Sequence, residues 1–200
     1  MILWDVDTQV DFMLPEGKLY VPGAEETAPA LGRLVDAAGA AGLVHVASAD
    51  DHELTDDEIS SEPDFSTTYP PHCLRGTRGA RRIPETEQAE PVPLGLELVP
   101  ERYLEGREFL LLKKHFDVFT NPHAEVLLER LDPDAVIVFG VATDVCVHAT
   151  ILGLRERGRR AIFVEDAARG LDETRTAACL AEWLDLGVIF STVDGVLSLN

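Results

Sequence analysis

The chain has 200 residues, of which 46% are hydrophobic, and this content is enough to bury one core, so disorder is not the default expectation. It carries 36 acidic against 17 basic residues, a formal net charge of −19. Because such an acidic surface repels phosphate groups and anionic lipids, we expect neither a nucleic-acid partner nor a membrane-surface partner.

No apolar stretch approaches the roughly 20 residues that a membrane-spanning helix needs. The apolar start of the chain is interrupted by Asp5 and Asp7, which is unlike a signal peptide, so we expect a cytoplasmic protein. The cysteines are Cys73, Cys146 and Cys179. Their odd number and wide spacing argue against a disulfide framework and leave one of them free to act as a working thiol.

Short apolar runs alternate with segments of helical periodicity along the chain, a pattern typical of a parallel sheet wrapped by helices. The predicted strands are Ile2–Val6, Leu43–Ser48, Phe109–Leu112, Ala135–Phe139, Ala161–Val164 and Val188–Phe190. The predicted helices lie around 31–38, from Thr143 or Asp144 to Arg157, and from Asp172 to just before Gly187. No linker or internal repeat is visible, so we expect a single α/β domain over residues 1–200.

Two segments interrupt this alternation. In residues 50–64, eight of fifteen side chains are acidic, and residues 83–107 contain four prolines. Long irregular connections in a compact domain are often functional lids or insertions, although a solvated surface loop is the alternative interpretation of each.

The ends of the predicted strands carry chemically capable side chains, and ligands of open parallel sheets bind at these ends. Asp7 ends the first strand, Lys113 follows the third, and Cys146 comes shortly after the fourth. Taken singly, they fit a turn cap, a surface charge and a small core residue. Together they predict a thiol in the first helical turn that the helix dipole and Lys113 favour as a thiolate, with Asp7 as its proton acceptor.

Three segments spread over nearly the whole chain resemble, as a set, the signature segments of the isochorismatase-like cysteine hydrolase superfamily. They are D-T-Q-V-D-F at 7–12, K-K-H-F-D-V-F at 113–119 and G-V-A-T-D-V-C at 140–146. The resemblance implies an α/β fold in three layers, with a six-stranded parallel sheet and helices on both faces.

The same resemblance implies the roles of individual residues. It implies a catalytic triad of Asp7, Lys113 and Cys146. It also implies a cis peptide between Val141 and Ala142 that turns the backbone amides of Ala142 and Cys146 toward the substrate oxygen as an oxyanion hole.

A second group of residues resembles the metal site of nicotinamidases within this superfamily. Asp50 and His52 follow the second predicted strand, and His72 lies in Y-P-P-H-C at 69–73. Glu58 or Glu62 is a further expected ligand. Such a donor set suits zinc, iron or manganese, whereas the alternative is an acidic loop with two ordinary histidines. No organic cofactor is expected.

The function that the resemblance implies is hydrolysis of a small carboxamide, nicotinamide or a relative, to the acid and ammonia through a cysteine thioester. Phe12, Tyr69 and Phe116 are expected to form flat apolar walls around the substrate, and Val141 is placed with them in the substrate site. Tyr69 stands where the family usually has Trp, so the identity of the substrate stays open.

Alternatives remain both inside and outside the superfamily. Within it, the substrate is a carbamoyl compound, a maleamate or a vinyl ether. A dinucleotide-binding oxidoreductase is excluded, because the first strand is not followed by G-x-G-x-x-G. A non-catalytic scaffold protein is the third class. The expected partners are a small-molecule amide substrate and further copies of this chain in a homo-oligomer.

Overall fold

A computed structural model describes residues 1–198 of the chain. Within this range no helix is long and apolar enough to cross a membrane. The strands are β1 (Ile2–Val6), β2 (Val44–Asp50), β3 (Val92–Leu94), β4 (Glu108–Lys113), β5 (Val136–Val141), β6 (Ala161–Arg169) and β7 (Ile189–Ser191). The helices are α1 (Val10–Met13), α2 (Ala28–Ala40), α3 (Pro122–Leu131), α4 (Cys146–Glu156), α5 (Glu173–Asp185) and α6 (Val193–Leu197).

All strands belong to one parallel sheet in the order β3-β4-β2-β1-β5-β6-β7. The prediction of a parallel sheet with helices is confirmed, but the expected number of six strands is wrong because β3 is a seventh. This strand lies inside the 83–107 segment and has only three residues, with Pro93 in the middle. Such a run is too short to show a period, and its proline is tolerated because β3 is an edge strand.

The order of the strands determines where the helices lie. The chain moves from β1 to β2 in one direction along the sheet, and from β4 through β5 and β6 to β7 in the other. Because parallel crossovers are right-handed, α2 covers one face while α3, α4 and α5 cover the opposite face. Accordingly, α2 packs on β2 and α6, and α4 packs on β5 and β1.

Several strands extend further than the apolar pattern predicts, and they do so at their carboxyl ends. β2 continues to Asp50, two residues beyond the predicted end at Ser48, and β4 continues to Lys113, one residue beyond the predicted end at Leu112. Asp50 and Lys113 are directly paired across the two strands. Asp50 and Lys113 are therefore part of the sheet, and their pairing places them side by side at the carboxyl ends of β2 and β4.

Helix α4 begins at Cys146, and its N-cap Val145 provides no side-chain hydrogen bond. The predicted cap at Thr143 or Asp144 is therefore wrong. The carboxylate of Asp144 instead accepts hydrogen bonds from the backbone amides of residues 171–172, at 2.8 and 3.2 Å. The residues just before α4 are thus attached to the loop that follows β6.

A buried ion pair attaches the start of the 83–107 segment to the sheet. Asp5 on β1 is fully buried, pairs with the guanidinium of Arg82 and accepts a hydrogen bond from the Thr8 hydroxyl at 3.0 Å. Burial acts to raise the pKa of Asp5, but the Arg82 charge and the contact with His45 together outweigh it and hold that pKa below its usual value. The chain between β2 and β4 is therefore fixed to the centre of the sheet.

The strands β1 and β5 approach each other closely at Gly140. This residue has φ +111°, and a Cβ atom placed on it would lie 2.1 Å from the carbonyl oxygen of Val6. Only glycine fits both the left-handed backbone and the missing space. The close approach matters because β1 and β5 carry the two segments that lead into the site described below.

We expect Gly140→Ala to lower the free energy of unfolding by about 3 kcal/mol or more, because the added methyl group collides with backbone that cannot move aside. Gly39→Ala is the matched control: a Cβ atom there meets nothing within 4 Å in helix α2. That change should stabilise the protein by about 0.5–1 kcal/mol. Urea unfolding of the two variants measures both effects, and equal midpoints would contradict the proposed collision.

Candidate active site

The predicted site residues converge at the carboxyl ends of four adjacent strands. Asp7 follows β1, Asp50 ends β2, Lys113 ends β4, and Cys146 follows β5 at the start of α4. The chain leaves β1 toward β2 on one side, and β5 lies on its other side, so this is the point at which the strand order reverses. Ligand sites of doubly wound sheets form at such a point.

The ammonium group of Lys113 lies at the centre of the site. Its side chain is fully buried, and Nζ lies 2.8 Å from Oδ2 of Asp7 and 3.8 Å from Sγ of Cys146. Nζ also donates a hydrogen bond to Oδ1 of Asp50. One cation therefore contacts two carboxylates and the thiol.

The charges of these groups depend on one another. Burial acts to lower the pKa of Lys113, but the carboxylates of Asp50 and Asp7 outweigh it and hold that pKa well above its usual value. The pKa of Asp7 is raised, chiefly by burial, with Lys113 opposing the shift and Asp50 adding to it. The site thus holds a permanent cation beside a carboxylate that takes up a proton more readily than an ordinary aspartate.

The thiol of Cys146 is buried, and burial raises its pKa well above the usual range. The ammonium of Lys113 opposes this shift, while Asp7 increases it. The thiolate predicted from the helix start is therefore not the favoured form of the free site. A protonated thiol must pass its proton to an acceptor before it can attack a substrate. The carboxylate of Asp7 is near, because it contacts the same Lys113 ammonium group as the thiol.

Asp7 itself is held from two sides. Its backbone adopts φ +50°, its amide donates to the carbonyl of Ser48 at 3.2 Å, and Oδ1 accepts a hydrogen bond from the Ser48 hydroxyl at 2.7 Å. Ser48 was not among the site residues predicted from the sequence. The available signal was a hydroxyl residue between the apolar Ala47 and Ala49 of β2.

The loop between β5 and α4 has the form that the resemblance implies. The Val141–Ala142 peptide is cis, and the carbonyl of Ala142 accepts hydrogen bonds from the amides of Val145 and Val147 at 3.0 and 3.1 Å. Ala142 and Cys146 both line the cavity in which the thiol lies. Their role as an oxyanion hole stays a prediction.

A second cluster lies next to the triad. Asp50, His52, Glu58 and His72 are all buried, and one donor atom from each lies within 4.8 Å of the others. Glu62, the other acidic residue considered for this cluster, is exposed. Part of the acidic segment 50–64 therefore folds inward to build a compact donor set.

The donor set fits a divalent metal ion. Nε2 of His52 is buried, and among residues 1–198 it has no hydrogen-bond partner. It lies 3.6 Å from Oδ2 of Asp50 and 3.8 Å from Oε1 of Glu58. Nε2 of His72 lies 3.3 Å from the same oxygen of Asp50. Two imidazole nitrogens and two carboxylates around one point match the ligands that zinc, iron and manganese accept.

Asp50 belongs to both clusters. One of its oxygens accepts the hydrogen bond from Lys113, and the other faces the two histidines. Burial acts to raise the pKa of Asp50, but the Lys113 charge, together with His52 and His72, outweighs it and holds that pKa well below its usual range. Asp50 is therefore ionised, and it connects the triad to the donor set.

Two further residues of the 7–12 segment hold the loops of the donor set. Gln9 is fully buried; its side-chain oxygen accepts from the amide of Asp50 at 2.7 Å, and its nitrogen donates to the carbonyl of Asp50 at 2.8 Å. The carboxylate of Asp11 accepts a hydrogen bond at 2.7 Å from the amide of Cys73, next to His72. Both residues belong to the D-T-Q-V-D-F segment, but neither was predicted to have a role of its own.

The walls of the cavity are mostly apolar. Phe12, Tyr69 and Phe116 line it, as expected for the substrate site, whereas Val141 lies buried in β5 and is not part of the lining. The lining residues not predicted from the sequence are Leu19, Val21, Val145 and Leu171. A wider cavity of about 490 Å³ adjoins this one and shares Tyr69, Phe116 and Val145 with it.

Comparison with known proteins agrees with this geometry. A family model described as Isochorismatase domain matches residues 2–194. The chain belongs to the isochorismatase family. This isochorismatase-family chain is 32% identical over 178 residues to a nicotinamidase/pyrazinamidase of Mycobacterium tuberculosis, covering 88% of the chain and 90% of that protein. It is 26% identical to a nicotinamidase of Escherichia coli, and the match covers 84% of this chain and 82% of that protein.

A solved structure of a pyrazinamidase from Pyrococcus horikoshii in complex with zinc has the same fold. The TM-score is 0.74 at 24% identity, and the match covers 96% of this chain and 98% of that one. The matched isochorismatase-family relatives are named as amide hydrolases, so the chain is a hydrolase by family.

Replacement of Lys113 by Met should slow alkylation of Cys146. The Lys113 charge lowers the pKa of the thiol, so its loss raises that pKa further and leaves less thiolate at any pH. Lys114→Met is the matched control, because Nζ of Lys114 contacts Asp51 and Asp56 instead. Mass spectrometry of the Cys146 peptide against pH measures both rates, and equal slowing in the two variants would show that the assignment of Lys113 is wrong.

Proposed function

We propose that the protein hydrolyses a small carboxamide, nicotinamide or a close relative, to the carboxylic acid and ammonia through a thioester on Cys146. The observation that carries this proposal is the position of Lys113, whose Nζ lies beside both the Asp7 carboxylate and the Cys146 thiol. The names of the relatives support an amide as the substrate.

The first half of the reaction forms the thioester. Asp7 takes the thiol proton as Sγ of Cys146 attacks the amide carbon, and the backbone amides of Ala142 and Cys146 receive the developing oxyanion. When the tetrahedral intermediate collapses, Asp7 gives its proton to the nitrogen, the C–N bond breaks and ammonia leaves. The raised pKa of Asp7 suits a group that must both accept and return a proton.

The second half of the reaction cleaves the thioester. Asp7, a carboxylate again, takes a proton from a water molecule as that water attacks the thioester carbon. Collapse of the second tetrahedral intermediate breaks the C–S bond, and the proton held by Asp7 returns to the sulfur. Lys113 keeps its charge throughout and stabilises whichever of Asp7 and Cys146 is anionic at each step.

The form of the cavity supports a flat, mostly apolar substrate. Phe12, Tyr69 and Phe116 offer aromatic surfaces on the same cavity as the thiol, and aromatic rings pack well against such surfaces. Within the described residues the hydroxyl of Tyr69 is buried without a hydrogen-bond partner. A substrate with a polar atom on that side would satisfy it.

We also propose that Asp50, His52, Glu58 and His72 hold a divalent metal ion. The unpartnered Nε2 of His52 beside two carboxylates supports this, as does the zinc reported for the Pyrococcus horikoshii pyrazinamidase. When bound, such an ion supplies an electrophilic contact for a substrate atom remote from the amide. The four side chains would then orient the substrate without entering the proton transfers.

Cys146→Ala should lower the rate of ammonia release by about 10³-fold or more, because the thiol is the only nucleophile that forms the thioester. The wild-type enzyme, quenched in acid during turnover, should show a mass increase equal to the acyl group, and the variant should not. Cys179→Ala, on α5, is the control and should keep most activity. Amide hydrolysis near the wild-type rate in Cys146→Ala would contradict the mechanism.

His72→Ala should reduce bound metal and raise KM, while the rate of Cys146 alkylation changes little. The change removes one donor nitrogen of the metal site. The groups that contact Nζ of Lys113 are Asp7, Asp50 and the Cys146 thiol, and His72 is not one of them. Elemental analysis and steady-state kinetics with and without chelator measure the two effects. His115→Ala is the control: His115 is partly exposed and supplies no donor atom to the set, although its Nδ1 lies 3.8 Å from Oε2 of Glu58. Full activity of a metal-free preparation would contradict the metal proposal.

A further inference from the structure

The two histidines of the donor set differ in the group that accepts a hydrogen bond from Nδ1, the ring nitrogen that faces away from the donor set. Nδ1 of His72 lies 2.7 Å from the carbonyl oxygen of Pro70. Nδ1 of His52 lies 3.3 Å from Oδ2 of Asp56, a carboxylate four residues further along the chain. Both oxygens only accept hydrogen bonds, so each histidine donates from Nδ1. The partner of His52 is the charged one.

Asp56 is fixed by two other donors. The same oxygen, Oδ2, accepts a hydrogen bond from the backbone amide of Glu53 at 2.8 Å and lies 2.9 Å from Nζ of Lys114. The side chain of Lys114 is four-fifths buried, and its Nζ also donates to the carbonyl of Asp51. The carboxylate therefore has a defined position, and Lys114, the residue that follows β4, helps to hold it there.

The environment of the other nitrogen of His52 favours the opposite tautomer. Nε2 faces Oδ2 of Asp50 at 3.6 Å and Oε1 of Glu58 at 3.8 Å. In the absence of a cation, these two carboxylates attract a proton to Nε2, and a protonated Nε2 has no lone pair for a metal ion. The contact with Asp56 opposes this because it keeps the proton on Nδ1.

We propose that Asp56 is a positioning residue that fixes His52 as the Nδ1–H tautomer and so makes its Nε2 a metal ligand. The inference rests on the metal site proposed above and deepens it. Carboxylates that accept from the second nitrogen of a ligating histidine commonly orient the ring and raise its basicity. Asp56 acts through His52 and does not touch the substrate.

The first test measures affinity for Zn²⁺ alone, on the full chain stripped of metal, by competition with a chelator. Asp56→Ala should weaken zinc binding by about 10- to 100-fold. Asp56→Asn keeps an oxygen acceptor without the charge and should recover part of that loss. Asp57→Asn is the matched control, since it removes the same charge from an exposed neighbour and should change the affinity by no more than about twofold.

The second test observes the tautomer directly. Nitrogen-15 NMR of the metal-free chain at about pH 8, where free imidazoles are neutral, distinguishes a protonated from an unprotonated ring nitrogen. The signals of His52 are assigned by their loss in His52→Gln. The wild type should carry the proton on Nδ1, and Asp56→Ala should move it toward Nε2. Thermal unfolding by circular dichroism confirms that the variants are folded.

The outcomes separate this inference from the functions on which it rests. A wild type that binds no zinc overturns both the metal site and the role of Asp56, and leaves amide hydrolysis through Cys146 standing. Equal zinc affinity in wild type and Asp56→Ala overturns the role of Asp56 alone. Weaker binding with an unchanged tautomer also overturns it, because the effect would then be a loss of negative charge and not the orientation of His52.

Discussion

The ammonium group of Lys113 is the interaction on which the rest of the site depends. Asp7 and Asp50 are fully buried carboxylates, and buried charges persist only when they are paired. Lys113 pairs with both of them. It thereby keeps Asp7 beside the thiol and favours the ionised form of Asp50, one of the two carboxylates of the donor set. The sheet makes this possible because Asp50 and Lys113 are paired residues at the ends of adjacent strands.

The two functional clusters are for this reason one electrostatic unit. Asp50 gives one oxygen to Lys113 and turns the other toward the two histidines. Asp50 is thus the one carboxylate that contacts both the Lys113 ammonium and the histidines of the donor set. Removal of its side chain would therefore disturb both clusters at once.

The sequence predicted what depends on local or repeated patterns and missed what depends on distant backbone. The apolar strands and the Asp172 cap of α5 follow local rules and are confirmed. The convergence of Asp7, Lys113 and Cys146 follows from parallel strands ending at one edge. The contacts of Gln9 are to backbone atoms of residue 50, and those of Asp144 to residues 171–172, so no pattern of side chains marks them. β3 was missed because three residues show no period.

The two adjacent lysines at the end of β4 make the alignment of this strand important. A slip of β4 by one residue against β2 would place Leu112 or Lys114 opposite Asp50 in place of Lys113. Asp50 would lose its contact with Lys113, and Lys114 would move away from Asp56 at the same time. β3 pairs with β4 along its outer edge, from Val92 to Leu94. The proline-rich segment 83–107 thereby adds backbone pairing that helps to fix the alignment of β4, and with it the position of Lys113 in a cavity that β3 does not line.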